Sequence, residues 1–385
     1  MRGITLASLS LVLAGAGLGA NPVGFPNVGA TCWMNGLLQN IVNMEPLVQA
    51  TLAVSSDQLL DDMKGFANLA RASRSIPTPG QKPEEAQVPG EVMMAMRLLF
   101  TNLKIDFGQQ DMRDGLTAWM GYWDFKKPKP LAEALKMSFS GVWDTYASAS
   151  DKNYYLLRDK DQWGVWKTRP VDPKDPPAIP DPARIIMARP FIGCESLPEA
   201  LAAWYKPETF AEGDWLVDEH KKPIFDAMVW RYIGANGTTN LLPEFLVINL
   251  TRGVMVGGVE KRFAGSIQIP VTLDIAPFFD KDAPRQETVY NLVGVGIHIG
   301  DPGGGHYYAY IKDQFDPNRI WYECDDSTVT ALGPDITVRA KEYKDISDNG
   351  YFFFYRKKSA EEQSVLQQRI KALSASLSTL CQKVA

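Results

Sequence analysis

Helical periodicity fills the N-terminal part of this chain and β-type runs fill the C-terminal half. That segregation is the strongest constraint on what the chain can fold into. Gly24 to Gln49 reads as a turn and then a helix. Thr31 stands as N-cap, and Met34, Leu37, Leu38, Ile41 and Val42 recur at helical spacing. Met63–Ala72, Val92–Leu103 and Asp111–Tyr122 carry further helical patterns. Ile76 to Gly90 holds Pro77, Pro79, Pro83 and Pro89 and reads as a surface loop. Lys126 to Pro190 is polar, aromatic and proline-rich, with Pro170–Pro182 a loop. The β-rich runs are Glu244–Leu250, Thr288–Gly300, His306–Lys312, Ile320–Cys324 and Gly350–Lys357. Helices first and strands afterwards predict an α+β protein with an antiparallel sheet.

The 385 residues leave room for one large domain or two to three smaller ones. Apolar residues at 45% and charged residues at 22% exclude a disordered chain. A net charge of -5 argues against nucleic acid as a partner, since phosphate recognition needs a basic surface. The four cysteines (Cys32, Cys194, Cys324, Cys381) form no CxxC pair, which argues against structural zinc and a disulfide scaffold.

The two ends need separate treatment. Residues 1–20 carry one cation, Arg2, then an uncharged apolar run ending in small residues. This is the pattern of a secretory signal peptide, with a membrane anchor as the competing reading. Residues 358–385 are helical in pattern, and Leu366, Ile370, Leu373, Leu377, Leu380 and Val384 step by 4, 3, 4, 3, 4. That spacing is a coiled-coil seam. Two readings stand: a helix folded back on its own domain, or a dimer or partner contact through 366–384.

Any histidine-dependent catalyst must use one of three histidines, His220, His298 or His306. His306 follows a triple glycine, Gly303 to Gly305, that lets a substrate backbone come close. His298 sits inside an apolar strand and reads as structural, and His220 lies in a charged stretch and reads as solvated. Cys32 starts a predicted helix, where free backbone N–H groups and the helix dipole favour a thiolate. Nineteen residues separate His306 from Asp325, enough for a strand, a turn and the neighbouring strand. Pairing of those strands would put an acid beside the imidazole and fix its tautomer.

These segments together resemble a family. GFPNVGATCWMNGLLQN (Gly24–Asn40) is similar to the cysteine box of the ubiquitin-specific proteases, and GGGHYYAYIKDQFDPNRIWYECDDSTV (Gly303–Val329) to their histidine box. GQQDMRDGL, SLPEAL, LPEFLVINLTR, IPVTLDIAPF, YNLVGVGIHIG and YFFFYRK resemble further blocks in the family's order. The resemblance covers Val23 to Lys357 and implies a papain-like cysteine protease with a helical thumb and an antiparallel β palm and fingers. It divides the chain into a signal-like 1–20, a catalytic domain over 21–357 and a C-terminal amphipathic helix over 358–385.

The resemblance further implies a deubiquitinase that needs no cofactor or metal. Cys32 would be nucleophile, His306 base and Asp325 third triad member. Asn27 would be the oxyanion donor. Asp326 is the neighbouring acid, which in some members supports the oxyanion side or the histidine. Gln110 and Asp111 match positions that contact the ubiquitin tail, and Tyr307 and Gly305 match the channel for its terminal Gly-Gly. A signal-like start on such an enzyme implies an effector exported toward a host cell, or else a cytosolic enzyme with an apolar start. The departures are Gly253 for an aromatic, Gly115 for an apolar residue, Cys324 for the aromatic before the acid, and fingers without CxxC pairs. They leave open a ubiquitin-like modifier, or a non-catalytic ubiquitin-binding protein on the same fold.

Overall fold

The computed structural model describes residues 21–54, 61–74, 87–102, 105, 111–126, 146–148, 154–160, 166–170, 185–206, 208–209, 216–217, 223–224, 228–230, 242–256, 259–279, 285–300 and 304–384. The signal-like run 1–20, Gln110, His220, Gly303 and the proline-rich stretch after Pro170 lie outside this set.

Helices α1 (Cys32–Val42), α2 (Glu45–Ala53), α3 (Asp61–Ala72), α4 (Gly90–Asn102) and α5 (Met112–Lys126) come first. Every residue of α1 is buried, so it is wrapped by protein on all sides. Its Trp33, Leu37, Leu38 and Ile41 share one core with Phe66 and Leu69 of α3, Met93, Met96 and Phe100 of α4, and Leu116 and Trp119 of α5. Trp33 meets Phe100 edge-on at 5.5 Å, and Phe66 meets Trp119 at the same distance. A Cβ on Gly115 would come within 2.5 Å of the Trp33 ring, so Trp33 fills the room that a larger side chain would take.

The polar, aromatic and proline-rich middle of the chain, where periodicity locates no element, carries strands. β1 (Tyr146–Ser148), β2 (Tyr154–Lys160), β3 (Trp166–Pro170), β5 (Glu208–Thr209) and β8 (Met228–Trp230) form a sheet in the order β3-β2-β1-β8-β5. β4 (Ile185–Ala188) belongs to the palm, and β6 (Leu216–Val217) and β7 (Pro223–Ile224) pair as a ribbon. Helix α6 (Leu197–Tyr205) starts at Ser196, whose hydroxyl accepts from the Glu199 N–H at 3.4 Å.

The palm is one sheet made of β9 (Phe245–Leu250), β13 (Val289–Ile299), β14 (His306–Lys312), β15 (Trp321–Asp325), β16 (Thr328–Gly333), β17 (Gly350–Lys357) and β4. β12 (Thr272–Asp274) pairs with β13. The order β16-β15-β14-β13-β17-β9-β4 is antiparallel except at β4–β9, which is parallel. A parallel pair needs a long crossover, and the chain between β4 and β9, which carries α6 and β5–β8, supplies it. The ribbon β10 (Gly253–Val256) and β11 (Val259–Arg262), helix α7 (Ala340–Asn349) and helix α8 (Lys358–Val384) complete the described elements.

Among the described side chains, helix α8 docks by polar groups. Ser364 Oγ donates to Glu45, Gln368 Nε2 donates to Glu45 Oε1 at 3.0 Å, and Asn291 Nδ2 donates to Glu361 Oε2 at 2.9 Å. Leu366, Ile370 and Leu373 stay 59%, 54% and 66% exposed. The start of the helix thus folds back on its own domain, while these three seam residues face away from it.

The helical layer is locked to the palm by a buried ion pair. Arg74, just beyond α3, contacts Asp313, just beyond β14, at 2.7 Å with both side chains at 1% exposure or less. Its second nitrogen donates to Asn43 Oδ1 at 3.3 Å, and its guanidinium lies 4.3 Å from the Phe315 ring centroid. Arg74→Ala leaves a buried carboxylate uncompensated, a loss of about 3–5 kcal/mol of stability. Equilibrium denaturation of the purified variant measures it, and a change under 1 kcal/mol contradicts the account.

Candidate active site

Cys32 is the first residue of α1 and is 6% exposed. The turn before it is organised by Asn27. The Asn27 Oδ1 accepts from the Gly29 N–H at 3.1 Å, the Thr31 N–H at 3.2 Å and the Thr31 hydroxyl at 3.2 Å. Thr31 occupies the N-cap position, but its side chain does not cap the helix. Its oxygen instead accepts from the Val28 N–H at 3.1 Å, so the expected cap is spent on the turn. The amide nitrogen of Asn27 donates to Asp326 Oδ2 at 3.0 Å. An amide NH2 carries two hydrogens, and this bond uses one.

His306 opens β14 and Asp325 closes β15, and antiparallel pairing of these strands sets them together. His306 Nε2 and Asp325 Oδ1 are 2.7 Å apart. With Nε2 turned to the acid, Nδ1 is the ring nitrogen left for other chemistry. The imidazole lies over the Tyr308 ring at 5.9 Å, and the Tyr308 hydroxyl donates to Asp345 of α7.

Asp326 is set apart from its neighbour by a φ of 47°, in the left-handed region. Its Oδ1 accepts from Asn35 Nδ2 at 2.6 Å, its Oδ2 from Asn27, and its carbonyl from the Phe25 N–H at 2.8 Å. The two acids thus do different things: Asp325 holds the histidine, and Asp326 holds the turn around Asn27. The ligand atoms of His306, Asp325 and Asp326 lie within 4.8 Å, the one grouping among the described residues with a donor set for a cation. Each of those side chains already has a hydrogen-bond partner in this arrangement.

Gly24 permits this closeness, because a Cβ there would sit 2.1 Å from the Ser327 carbonyl oxygen. Gly305, with a φ of +151°, packs so tightly that a Cβ would be 2.2 Å from the Ile299 oxygen and 2.7 Å from His298 Nε2. Tyr307 is buried and stacked on His298 at 4.3 Å. Asp111 accepts from the Tyr351 hydroxyl and, at 2.7 Å, from the Arg113 N–H, so its carboxylate also serves the start of α5. Asn35 and Arg262 escaped the sequence reading. Arg262 donates to the carbonyls of Gly300 and, at 3.1 Å, His298, and holds the turn that leads to His306. Neither carries a local signal, because each acts on a segment remote in sequence.

Burial pushes the Cys32 thiol above its ordinary value; the Tyr307 backbone N–H pulls it back and the Asp326 carboxylate pushes it up again. The N–H groups of Trp33 and Cys32 itself also favour the anion, as expected of a helix start, but burial outweighs them. The resting sulfur is therefore a protonated thiol that needs a base. It faces the N–H of Tyr307, the residue directly after His306. Burial also lowers His298, with Arg262 adding to the effect.

A cysteine at a buried helix start, facing the strand that opens with a histidine held by an acid of the neighbouring strand, has the residue set of a thiol hydrolase on an α+β fold. A profile of the ubiquitin carboxyl-terminal hydrolases matches residues 23–355, and the chain belongs to that family. It is 28% identical over 313 residues to ubiquitin carboxyl-terminal hydrolase 15 of Schizosaccharomyces pombe, spanning 80% of this chain and 24% of that protein. It is 22% identical over 342 residues to the probable ubiquitin carboxyl-terminal hydrolase 16 of the same yeast, spanning 84% of this chain and 66% of that protein. The chain thus spans about a quarter of the first of these relatives. Among solved structures it resembles the SAGA DUB module of Ubp8, Sgf11, Sus1 and Sgf73 bound to monoubiquitin, with a TM-score of 0.63 and 16% identity. That match covers 91% of this chain and 73% of the other. A second structure of that module, bound to ubiquitin aldehyde, matches at a TM-score of 0.58 and 18% identity over 87% of this chain and 69% of the other. At such identities the likeness establishes the fold, a papain-like thumb and palm.

A raised thiol pKa has a sign that can be tested. The nucleophilic thiolate accumulates only as pH rises through the pKa, so alkylation of Cys32 should still be climbing above pH 9. Peptide mapping after pulses of iodoacetamide across pH measures this in the substrate-free enzyme. A plateau near neutral pH would contradict it.

Proposed function

We propose that this chain is a thiol-dependent deubiquitinase cleaving after the C-terminal glycine of ubiquitin. The observation that carries the reading is the 2.7 Å His306–Asp325 pair, with the N–H of Tyr307, the residue after His306, facing the thiol of Cys32. Family membership supports ubiquitin as substrate, as do neighbours whose own structures hold monoubiquitin or ubiquitin aldehyde.

Asp325 holds the His306 tautomer in which Nδ1 is unprotonated, and Nδ1 takes the Cys32 proton. The thiolate attacks the glycyl carbonyl carbon. The resulting oxyanion is held by the second Asn27 amide hydrogen and the Cys32 backbone N–H. His306 returns the proton to the departing lysine amine, leaving a thioester on Cys32. His306 then deprotonates a water, which attacks the thioester and releases the glycine carboxylate and the thiolate. Tyr307, Gly305 and Asp111, with Gln110, serve the ubiquitin tail in this reading. A tail ending in Gly-Gly has no side chain to pass through a narrow channel, so sterics alone supply selectivity.

A ubiquitin probe with a C-terminal electrophile should label the wild-type chain and leave Cys32→Ala unlabelled. Asn27→Ala should lower kcat by about 10²–10³ with a smaller change in KM, since the donor acts on the transition state. Labelling by a ubiquitin-like probe in place of ubiquitin would move the substrate to that modifier. Binding of ubiquitin without turnover by the wild type would instead favour a non-catalytic binding protein.

A further inference from the structure

Helix α8 presents two faces with different jobs. Glu361, Ser364 and Gln368 face the domain, and all its side-chain hydrogen bonds to the body beyond Ser359, among the described residues, come from these three. At about 100° per residue, Leu366, Ile370 and Leu373 centre about 180° around the axis from that trio. They are the exposed half of the seam. Among the described residues, Leu366, Ile370 and Leu373 therefore form an aliphatic stripe turned to water with no partner in the domain.

We infer that this seam pairs with the same seam of a second copy, as a parallel two-stranded coiled coil. The heptad register puts Ile370, Leu377 and Val384 at the a positions and Leu366, Leu373 and Leu380 at d. Two of the three a positions are β-branched and every d position is Leu, a pattern close to the one that favours two parallel strands. Charge agrees. In register and parallel, Glu362 meets Gln367 of the second copy, Arg369 meets Ser374, and Ser376 meets Cys381, so no like charges oppose. The antiparallel arrangement that keeps the six seam residues paired sets Arg369 against Lys383 of the second copy, a like-charge contact.

The area is small but sufficient. A Leu-sized side chain removes on the order of 100 Å² from water, so twelve of them bury on the order of 1,000 Å², the low end for a specific interface. The dimer is therefore concentration-dependent. Position also allows it. Helix α8 leaves β17 at Lys357, which pairs with Tyr290, whereas His306 pairs with Ile299 at the other end of β13. Tyr290 and Ile299 lie nine residues apart on the strand, about 30 Å, so pairing leaves the catalytic groups open. The inference stands apart from the catalytic reading.

Sedimentation and light scattering of the full chain from about 1 to about 100 μM test it. The mass should rise from 42.8 kDa toward twice that value. Ile370→Asp with Leu373→Asp should hold the chain monomeric while probe labelling and the melting temperature stay at wild-type values, because both side chains are exposed. Leu366→Cys, at the start of the seam, should form a disulfide-linked dimer above the wild-type level on mild oxidation, since only the parallel arrangement brings the two residues together. A wild-type mass that stays monomeric at the top concentration overturns the proposal. So does a double variant that still dimerises, or a Leu366→Cys chain that does not cross-link.

Discussion

The carboxylate of Asp326 holds together two pieces of chain that lie 291 to 299 residues apart. It takes one hydrogen bond from Asn27 and one from Asn35, while its backbone carbonyl takes a third from Phe25. Closing so long a loop costs entropy, but that cost grows only slowly with length. The helical layer contributes α1, sunk against β14, and the palm contributes the end of β15. Without this clamp the turn carrying Asn27 has nothing to fix it against the strand that carries Asp325. The adjacent acid is thereby freed to serve His306 alone.

The state of the sulfur follows from that packing. A helix start favours a thiolate, yet Cys32 is buried and faces the Asp326 carboxylate, so the thiol stays protonated. The same anion that organises the Asn27 turn suppresses premature ionisation of the nucleophile. Reactivity then depends on His306, which the strand pairing sets at the right edge of the sheet. A protonated resting thiol is also less open to alkylation and oxidation than a standing thiolate.

Local periodicity was enough to locate α1, α3, α4, α5, the central palm strands and α8, because apolar residues recur in each at the period of its own backbone. It failed at β1 to β4. That stretch is rich in proline and polar residues, and its strands exist because partners lie alongside them. The parallel pairing of β4 with β9 was equally invisible, since nothing within four residues of Ile185–Ala188 names its neighbour. For the site, residue types and spacing made Cys32, His306 and Asp325 candidates, and only the resemblance of the two boxes to a family joined them with Asn27 as a set. They did not tell the roles of two consecutive aspartates apart, and they left out Asn35 and Arg262.

What the sequence by itself determined is the segregation of helices from strands, the chemical inventory of the site and the heptad of α8. Each is a pattern written in neighbouring residues, and short-range sterics and burial read it directly. What only the tertiary structure decided is which acid turns to the histidine, that the thiol rests protonated, and which face of α8 meets the domain. Those depend on distances between segments hundreds of residues apart, where burial and hydrogen bonding are set by the packed whole.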